Sequence, residues 1–378
     1  MNLVTDAIYS KYFNTATDIN WESFRSKASD YTTPLSKLPA DISVKTEKSW
    51  QELAKQISLV IFKIVIFPLF IYALGKYIIQ RILMTPIYPA QSRIVKLFVP
   101  MLRTSRLDLY RKDVAEKFNK NGNVCRQVVL EKDGNRYSGL LIGTEDKIRN
   151  GNWVLQATGN AEPIEHSVEI FFNYYQKMGY NVLCINGPSV GKNEGQATPS
   201  EMGDAQQLGI LLLETAIKAK KIVIAGRSLG GAAIGQAILK HEFKEDIRYL
   251  VVRQMTFDRA SNIVGKFARM IVHSRFEYLA ALAVTWSGCE MDSVAASKKL
   301  QQKKIQEIII QCSTHEFDPK APKKEHFQTD GPILFDASLG YTLVEEGITD
   351  NKVFIGLTNA GHMTSEAFTA GQKYIQNL

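Results

Sequence analysis

From about residue 124 to the C-terminus, short apolar runs alternate with segments whose apolar residues recur at helical spacing. Short apolar runs bounded by turn residues predict strands, and segments in which apolar residues recur at helical spacing predict helices. The predicted strands are 124–131, 137–143, 153–157, 181–185, 222–225, 249–253, 305–311 and 353–357, and the predicted helices are 166–178, 204–219, 228–240 and 365–376. This alternation predicts an α/β domain with a mostly parallel sheet covered by helices on both faces. Residues 258–300 lack a strand pattern, so we expect a helical insertion there.

A long apolar stretch precedes this domain. Residues 57–79 (ISLVIFKIVIFPLFIYALGKYII) contain two charges, Lys63 and Lys76, whose side chains lie near enough to the ends to reach lipid headgroups. Because about 20 apolar residues span a bilayer, this length predicts a single transmembrane helix, in which Pro68 is tolerated. The stretch starts too far from Met1 for a cleavable signal peptide. The alternatives are a buried core helix and a hairpin within one leaflet.

The net charge of +8 comes from the N-terminal third, because residues 1–112 hold 16 Lys and Arg against 8 Asp and Glu, whereas residues 113–378 hold 30 of each. The neutral C-terminal part argues against a nucleic-acid partner. Between positions 76 and 112, one acid (Asp108) accompanies eight basic residues, which are Lys76, Arg81, Arg93, Lys96, Arg103, Arg106, Arg111 and Lys112. Such a run binds anionic lipid by about 1 kcal/mol per residue and keeps its side of the membrane cytoplasmic. The alternative is a solvated basic helix.

These patterns divide the chain into a polar N-terminal region (1–56), a transmembrane helix (57–79), a basic juxtamembrane linker (80–120) and an α/β domain (121–378) with 258–300 as its candidate cap. The four cysteines form no CxxC pair, which excludes a disulfide scaffold and argues against a structural zinc site. No motif for a nicotinamide, a flavin or a metal is present. We therefore expect no cofactor.

The candidate nucleophile is Ser228, in the G-x-S-x-G sequence Gly226-Arg227-Ser228-Leu229-Gly230. A β-branched strand leads into this sequence and a helix rich in small residues follows it, which is the strand–turn–helix context of a nucleophile elbow. In so sharp a turn flanking side chains would collide, and Gly226 and Gly230 remove them. The alternative is a tight βα turn whose serine merely caps the helix.

The candidate general base is His362, which follows the last predicted strand in Asn-Ala-Gly-His-Met. The order in hydrolases is serine, acid, histidine, so the acid must follow a strand between Ser228 and His362. Asp318 is our first candidate, in the loop after residues 305–311, and Glu316 in the same loop and Asp258 after the preceding strand are the alternatives.

An oxyanion hole needs two backbone N–H donors aimed at one point. Leu229, directly after the nucleophile, is one candidate. Asn160 is the other, because it follows Gly159 in the loop after the strand 153–157. The alternative for that loop is an ordinary βα turn. The loop 186–195 (NGPSVGKNEG) has three glycines without the Lys-Ser/Thr ending of a phosphate-binding loop, so we interpret it as a backbone turn near the site.

Together, four blocks resemble the α/β-hydrolase superfamily over roughly residues 124–378, namely ATGNAE, INGPSVGKNEGQATP, IAGRSLGG and NAGHM. The second block resembles the superfamily's G-x-G-x-S-x-G loop followed by Thr-Pro, with Asn193 in place of the usual Ser. The segments DRASNI and TWSGCEMDSVAASKKL narrow the resemblance to the chlamydial CHLPS-protein group and the similar SidB-type effectors of intracellular bacteria. The resemblance implies an α/β-hydrolase fold in a bacterium associated with host cells, with Ser228 as nucleophile and His362 as base. The superfamily's acid usually stands some residues before a Pro, whereas Asp318 directly precedes Pro319.

The features predict a membrane-associated serine hydrolase of the esterase, lipase or thioesterase kind, which cleaves an acyl ester through a Ser-His-acid triad and an acyl-enzyme. The membrane segment favours an acylated or lipid-like substrate. The same residues would serve a transacylase. The alternative from another class is a catalytically inactive scaffold acting as a membrane-anchored bacterial effector or interaction protein. We expect a single-pass membrane location with the hydrolase domain on the cytoplasmic side, or delivery to a host cell.

Overall fold

The computed structural model of the chain describes residues 13–16, 33–44, 72–80, 104–149, 151–159, 162–358, 360–362 and 366–378. Within them, the strands are β1 (Phe13–Ala16), β2 (Ile42–Val44), β3 (Asn123–Lys132), β4 (Asn135–Thr144), β5 (Asn152–Ala157), β6 (Asn181–Ile185), β7 (Lys221–Arg227), β8 (Arg248–Gln254), β9 (Gln306–Ser313) and β10 (Lys352–Thr358). The α-helices are α1 (Thr104–Lys120), α2 (Ile164–Tyr175), α3 (Pro199–Thr215), α4 (Leu229–Lys240), α5 (Ala260–Ile271), α6 (Phe276–Ser287), α7 (Ser293–Gln302), α8 (Leu339–Glu345), α9 (Glu366–Ala370) and α10 (Gln372–Gln376). Residues 72–80 are also helical, and 3₁₀ helices cover Leu35–Lys37, Gln176–Met178, Lys324–His326 and Phe335–Ala337.

The strands form one sheet in the order β1-β2-β3-β4-β6-β5-β7-β8-β9-β10. From β6 to β10 every neighbouring pair is parallel, and β4 lies antiparallel to both β3 and β6. The carboxyl ends of the six strands β5 to β10 therefore meet at one edge, where ligands bind in open α/β sheets. The predicted α/β-hydrolase fold, with a mostly parallel sheet, is confirmed.

The alternation of side chains in the central strands divides the core into two layers. In β7, Ile222 and Ile224 join the apolar layer under α3, α4 and α7, whereas Val223 and Ala225 join the layer under α1, α2 and the C-terminal helices. Successive strand residues point to opposite faces, so a strand covered on both faces must be apolar throughout. Each large apolar side chain buried in this way contributes about 1.5–3 kcal/mol to stability.

Helix α3 begins earlier than the apolar spacing predicts, at Pro199 instead of residue 204. The N–H of Glu201 donates to the Thr198 hydroxyl at 3.2 Å, and proline at the first helical position needs no acceptor for its nitrogen. The predicted C-terminal helix 365–376 is divided at Gly371 into α9 and α10. Local capping chemistry, which the periodicity does not register, sets these boundaries.

The N-terminal part contributes more to the domain than its polar sequence predicts. Strand β2 pairs in parallel with β3, and the Asp41 carboxylate accepts hydrogen bonds from the N–H of Val129 (2.9 Å) and from Arg126 (2.5 Å). Helix α1 packs against β3 and α2. Residues 104–120 therefore belong to the α/β domain, and the predicted linker 80–120 is too long at its C-terminal end.

Most of the predicted transmembrane segment, residues 57–71, lies outside the described residues. Its last part is within the 72–80 helix, where the Tyr72 ring packs edge-on against Trp286 of α6 with ring centroids 5.0 Å apart. Among the helices that the structure describes, none combines the length and the apolar character needed to cross a bilayer.

Residues 258–300 form three helices between β8 and β9, and α5 and α6 pack as an antiparallel hairpin. A Cβ atom at Gly265 would lie 2.9 Å from the carbonyl oxygen of Glu277, so glycine is required for the two helices to approach this closely. The hairpin stands at the edge of the sheet where β7 and β8 end.

Candidate active site

Ser228 lies in the turn between β7 and α4 with φ +52° and ψ −124°, a backbone conformation that residues other than glycine rarely adopt. Hydrogen bonds to neighbouring backbone groups stabilise this strained conformation. The N–H of Ser228 donates to the Gln254 carbonyl at 2.9 Å, and the Ser228 carbonyl accepts from the N–H of Gly231 at 3.0 Å. The side chain makes no capping hydrogen bond to α4, so the helix-cap alternative does not explain the serine. Such strain is concentrated at functional sites.

The two elbow glycines are required by close backbone contacts. A Cβ atom on Gly230 would collide with the carbonyl oxygen of Thr158 and would lie 2.7 Å from that of Ala157. A Cβ atom on Gly226 would lie 2.8 Å from the Gly230 carbonyl group. The elbow is thus packed against the loop that follows β5, where the second oxyanion donor was expected.

His362 pairs with Asp330, which is not among the three predicted acids. The Nδ1 atom of His362 lies 2.9 Å from Oδ2 of Asp330, and the His362 N–H donates to the Asp330 carbonyl at 2.8 Å. The Ile333 N–H donates to the other carboxylate oxygen at 2.9 Å. The Asp330 side chain is 2% exposed and that of His362 is 15% exposed. A carboxylate at Nδ1 favours the tautomer with its proton there, which leaves Nε2 free to accept a proton.

The three predicted acids lie elsewhere, and this part of the prediction requires correction. Asp318 accepts the N–H of Lys320 at 3.0 Å within an exposed turn, and Glu316 is exposed in the same loop. Asp258 is buried, and its carboxylate accepts from Asn262 (2.8 Å) and Thr342 (2.9 Å). Burial raises the pKa of Asp258 to about 6. None of the three is hydrogen-bonded to His362 in the described residues.

Asp330 reaches the histidine because the chain returns to β9 after a long excursion. The Gln328 N–H donates to the Cys312 carbonyl at 3.0 Å, and Phe327 forms a β-bridge with Ser313. These contacts place Asp330 beside the end of β9, although it is 17 residues beyond that strand in sequence. Asp330 stands two residues before Pro332, which is the spacing that Asp318 lacks and the signal that could have identified it.

The serine and the histidine follow parallel strands at the same edge, β7 and β10, with β8 and β9 between them. The Cys312 thiol at the end of β9 lies 3.1 Å from the Ala360 carbonyl and supports the loop that carries His362. Among the described residues, the Ser228 hydroxyl forms no hydrogen bond with the His362 ring. In unliganded sites such contacts are often long and shorten when substrate binds.

The loop after β5 is tied to the elbow through one carboxylate. Glu162 accepts the N–H of Gly159 (3.3 Å) and the guanidinium of Arg227 (2.9 Å) on one oxygen, and the hydroxyl of Ser167 (2.5 Å) on the other. A Cβ atom at Gly159 would lie 3.8 Å from that of Ser228. The predicted donor Asn160 lies outside the described residues, and Leu229, the other predicted donor, begins α4. A pocket beside the elbow is lined by Gly159, Glu162, Met202, Gln206, Leu229 and Ala233.

A model of the Chlamydia CHLPS protein family (DUF818) matches residues 40–367. The chain belongs to this family. Among curated proteins, no relative matches the chain.

Solved structures similar to this CHLPS family member include two hydrolases. The Pyrococcus furiosus esterase Pf2001 is 15% identical, with a TM-score of 0.48, over 68% of this chain and 92% of its own. The α/β hydrolase ABH from Vibrio vulnificus is 16% identical, with a TM-score of 0.48, over 76% of this chain and 92% of its own.

A buried polar network fixes the loop 186–195. Arg111 of α1 is 2% exposed and ion-paired with Glu165, which also accepts from Asn186 at 3.0 Å. Asn193, the residue in place of the usual serine, accepts the N–H of Ser138 at 2.8 Å and donates to the Asn186 carbonyl at 2.7 Å. This network is structural, and it removes Arg111 from the residues that could bind lipid.

The described residues form neither a metal site nor a reactive cysteine. In the part of the chain that the structure describes, no group of His, Cys, Asp and Glu could hold a metal ion. The four cysteines are buried and form no disulfide. Burial raises the pKa of Cys312 to about 12, so its thiol stays protonated near neutral pH and is not an activated nucleophile.

Proposed function

We propose that this CHLPS family member is a serine hydrolase that cleaves a carboxylic ester or thioester. The observation that carries the proposal is the combination of a strained Ser228 elbow with the His362–Asp330 pair, 2.9 Å apart, at the same edge of the sheet. The strained conformation of Ser228 costs about 1–3 kcal/mol of stability. A turn with a purely structural role would gain nothing from this cost, whereas a nucleophile elbow requires the conformation.

In this mechanism the Ser228 hydroxyl oxygen attacks the acyl carbonyl while Nε2 of His362 takes its proton. Asp330 keeps the imidazole oriented and stabilises its positive charge. The N–H of Leu229 and a donor from the loop after β5 bind the oxyanion. His362 then gives the proton to the departing alcohol or thiol, and the acyl group stays on Ser228. Water, activated by the same histidine, releases the acid and restores the serine.

The test is hydrolysis of a short-chain acyl ester by the full-length protein, beside Ser228→Ala and Ser200→Ala. Ser200 is exposed, and its hydroxyl accepts from Lys240 at 2.7 Å, so its removal is a matched control at the surface. We expect Ser228→Ala to lose several orders of magnitude in kcat/KM while Ser200→Ala matches the wild type. Equal rates in all three proteins would remove the assignment of Ser228.

We propose further that the enzyme acts at a membrane on an acylated or lipid-like substrate, attached by residues 57–79 and by basic residues of the 76–112 segment. The length and apolar character of 57–79 support this attachment. The full-length protein should stay in the membrane fraction after an alkaline carbonate wash. Release by the wash would limit the attachment to a peripheral one.

The inactive scaffold remains a second candidate because the Ser228 hydroxyl is not hydrogen-bonded to His362 in the described residues. A scaffold predicts a folded wild type that hydrolyses no ester and recovers a partner protein in pull-down. Ester hydrolysis that depends on Ser228 would exclude it.

A further inference from the structure

The apolar surface of the described residues is concentrated in one place. Sixteen large hydrophobic side chains are exposed among the described residues, and twelve of them lie on the α5–α6 hairpin or on the 72–80 helix. On the hairpin they are Phe267, Met270, Ile271, Val272, Phe276, Tyr278, Leu279 and Leu282, and on the helix they are Tyr72, Leu74, Tyr77 and Ile78. Single exposed apolar residues are ordinary, but eight of them on one helical hairpin mark a surface that is covered in use.

The tip of the hairpin is its most exposed part. Ile271 is 79% exposed and Tyr278 is 72% exposed, on either side of the turn that joins α5 to α6. Few residues of either helix are buried, namely Ala260 and Gly265 in α5 and Val284 and Ser287 in α6. The hairpin is therefore supported at its base and projects its apolar tip away from the domain.

The 72–80 helix joins this surface although it is about 200 residues away in sequence. Tyr72 packs on Trp286, and a Cβ atom at Gly75 would lie 3.7 Å from the same indole ring. The chain that leads into Tyr72 is the apolar run 57–71. The segment expected to enter a bilayer thus ends against the hairpin.

The charges around the tip are mostly positive. Residues 260–287 carry Lys266, Arg269 and Arg275 against a single acid, Glu277, whereas Lys76 of the 72–80 helix lies beside Gly288 at the base of the hairpin. Glu277 is paired with Arg269 at 3.5 Å, and Lys266 is paired with Asp336 at 2.6 Å, so the basic residues beside the tip are Arg269 and Arg275. An apolar tip with basic residues beside it is complementary to the acyl region and headgroups of an anionic bilayer.

We propose that the tip of the α5–α6 hairpin, together with the 72–80 helix, docks into the interfacial layer of an anionic lipid bilayer. The hairpin gives a second contact with the membrane, beside the attachment by 57–79 to which the 72–80 helix is joined, and this contact is independent of whether Ser228 is catalytic. Val284 of the hairpin belongs to the same buried cluster as Leu229, which follows Ser228, and Ile333, whose N–H binds Asp330. Docking would therefore bring the candidate active site to the lipid surface.

The experiment measures where the tip lies when the full-length protein is reconstituted in vesicles of phosphatidylcholine and phosphatidylserine. An environment-sensitive fluorophore is attached at Ile271→Cys, and the four native cysteines are buried and should not compete. The matched control is Ile170→Cys, since Ile170 is 60% exposed on α2, which packs on α1, β4 and β6 away from the hairpin. Emission is quenched either by nitroxide-bearing lipids or by aqueous iodide.

Docking predicts blue-shifted emission at 271 that lipid nitroxides quench and iodide does not, and the reverse at 170. Quenching of the 271 probe by iodide alone would overturn the proposal, even if the protein remains membrane-bound through 57–79. Protection of the 271 probe from both quenchers would also overturn it, because the tip would then be covered by residues 57–71 or by a second copy of the chain. Ester hydrolysis in the same vesicles reports separately on the proposed catalytic function.

Discussion

Replacing Asp330 by asparagine changes the acid at His362 while almost preserving its shape. The Ile333 N–H, now 2.9 Å from the carboxylate, can still be accepted by the amide oxygen. The amide nitrogen then faces Nδ1 of His362, where it donates and forces that ring atom to accept. The proton of the neutral imidazole moves to Nε2, and the atom that must take the proton from Ser228 is no longer free.

The wrong tautomer should lower kcat by about 10⁴-fold, which is the effect of the corresponding exchange in a serine protease triad. This factor corresponds to about 5 kcal/mol of lost transition-state stabilisation. Loss of a charge-assisted hydrogen bond at a side chain 2% exposed should also lower the free energy of unfolding, by about 1.5–3 kcal/mol. Such a loss leaves a domain of this size folded at room temperature, so the kinetic effect can be measured separately.

The assay is ester hydrolysis by Asp330→Asn and, as the matched control, Asp318→Asn. Asp318 is exposed and accepts from Lys320, so its exchange should leave kcat/KM unchanged. Circular dichroism and thermal melting confirm that both variants are folded. A folded Asp330→Asn with wild-type kcat, or an equal loss in Asp318→Asn, would refute the assignment of the acid.

Three further outcomes follow from contacts in the structure. Gly230→Ala should lower the free energy of unfolding by roughly 1–3 kcal/mol in chemical denaturation, because its Cβ would lie 2.7 Å from the Ala157 carbonyl oxygen; an unchanged midpoint would contradict this contact. Glu162→Gln should keep the fold and lower kcat/KM about tenfold, because it weakens the charge-assisted hydrogen bond between Arg227 and the loop after β5. Unaltered kinetics would show that the position of this loop does not depend on the ion pair. Asp258 is neutral in both states only below about pH 3, and its pKa is raised from 3.8 to about 6 on folding, so wild-type stability should fall by roughly 3 kcal/mol between about pH 3 and pH 7 relative to Asp258→Asn; parallel pH profiles would contradict it.

The residues that could be predicted from the sequence are those whose structural context is local. Ser228 is identified by the strand before it, the glycines around it and the helix after it, and His362 by its place directly after the last strand. The central strands were predictable for the same reason, because both faces of the sheet are covered and each strand is a short continuous apolar run.

The acid could not be found in this way, because its position depends on tertiary contacts. The chain leaves β9, passes through the 3₁₀ helix Lys324–His326 and returns beside Cys312 before it reaches Asp330. A prediction based on sequence order assigns the acid to the first carboxylates after β9, which are Glu316 and Asp318. Only the spacing of Asp330 and Pro332 gave a local signal.

The N-terminal boundary of the α/β domain is not visible in the sequence for a related reason. Helix α1 is rich in charged residues, a composition that predicts a basic linker, yet Arg111 is buried against Glu165 and Gln127. A buried arginine cannot be distinguished from a solvated one by composition, because its environment is supplied by α2 and β3, which lie elsewhere in the sequence.

The central claim is that His362 and Asp330 activate Ser228, and covalent labelling with a fluorophosphonate tests it most directly. The full-length protein is treated beside Ser228→Ala, His362→Ala and Asp330→Asn, and the modified peptide is located by mass spectrometry. The account predicts a single adduct on Ser228 in the wild type, none in Ser228→Ala, and strongly slowed labelling in the other two variants. A folded wild type that is not labelled, or an adduct on another residue that persists in Ser228→Ala, would contradict it.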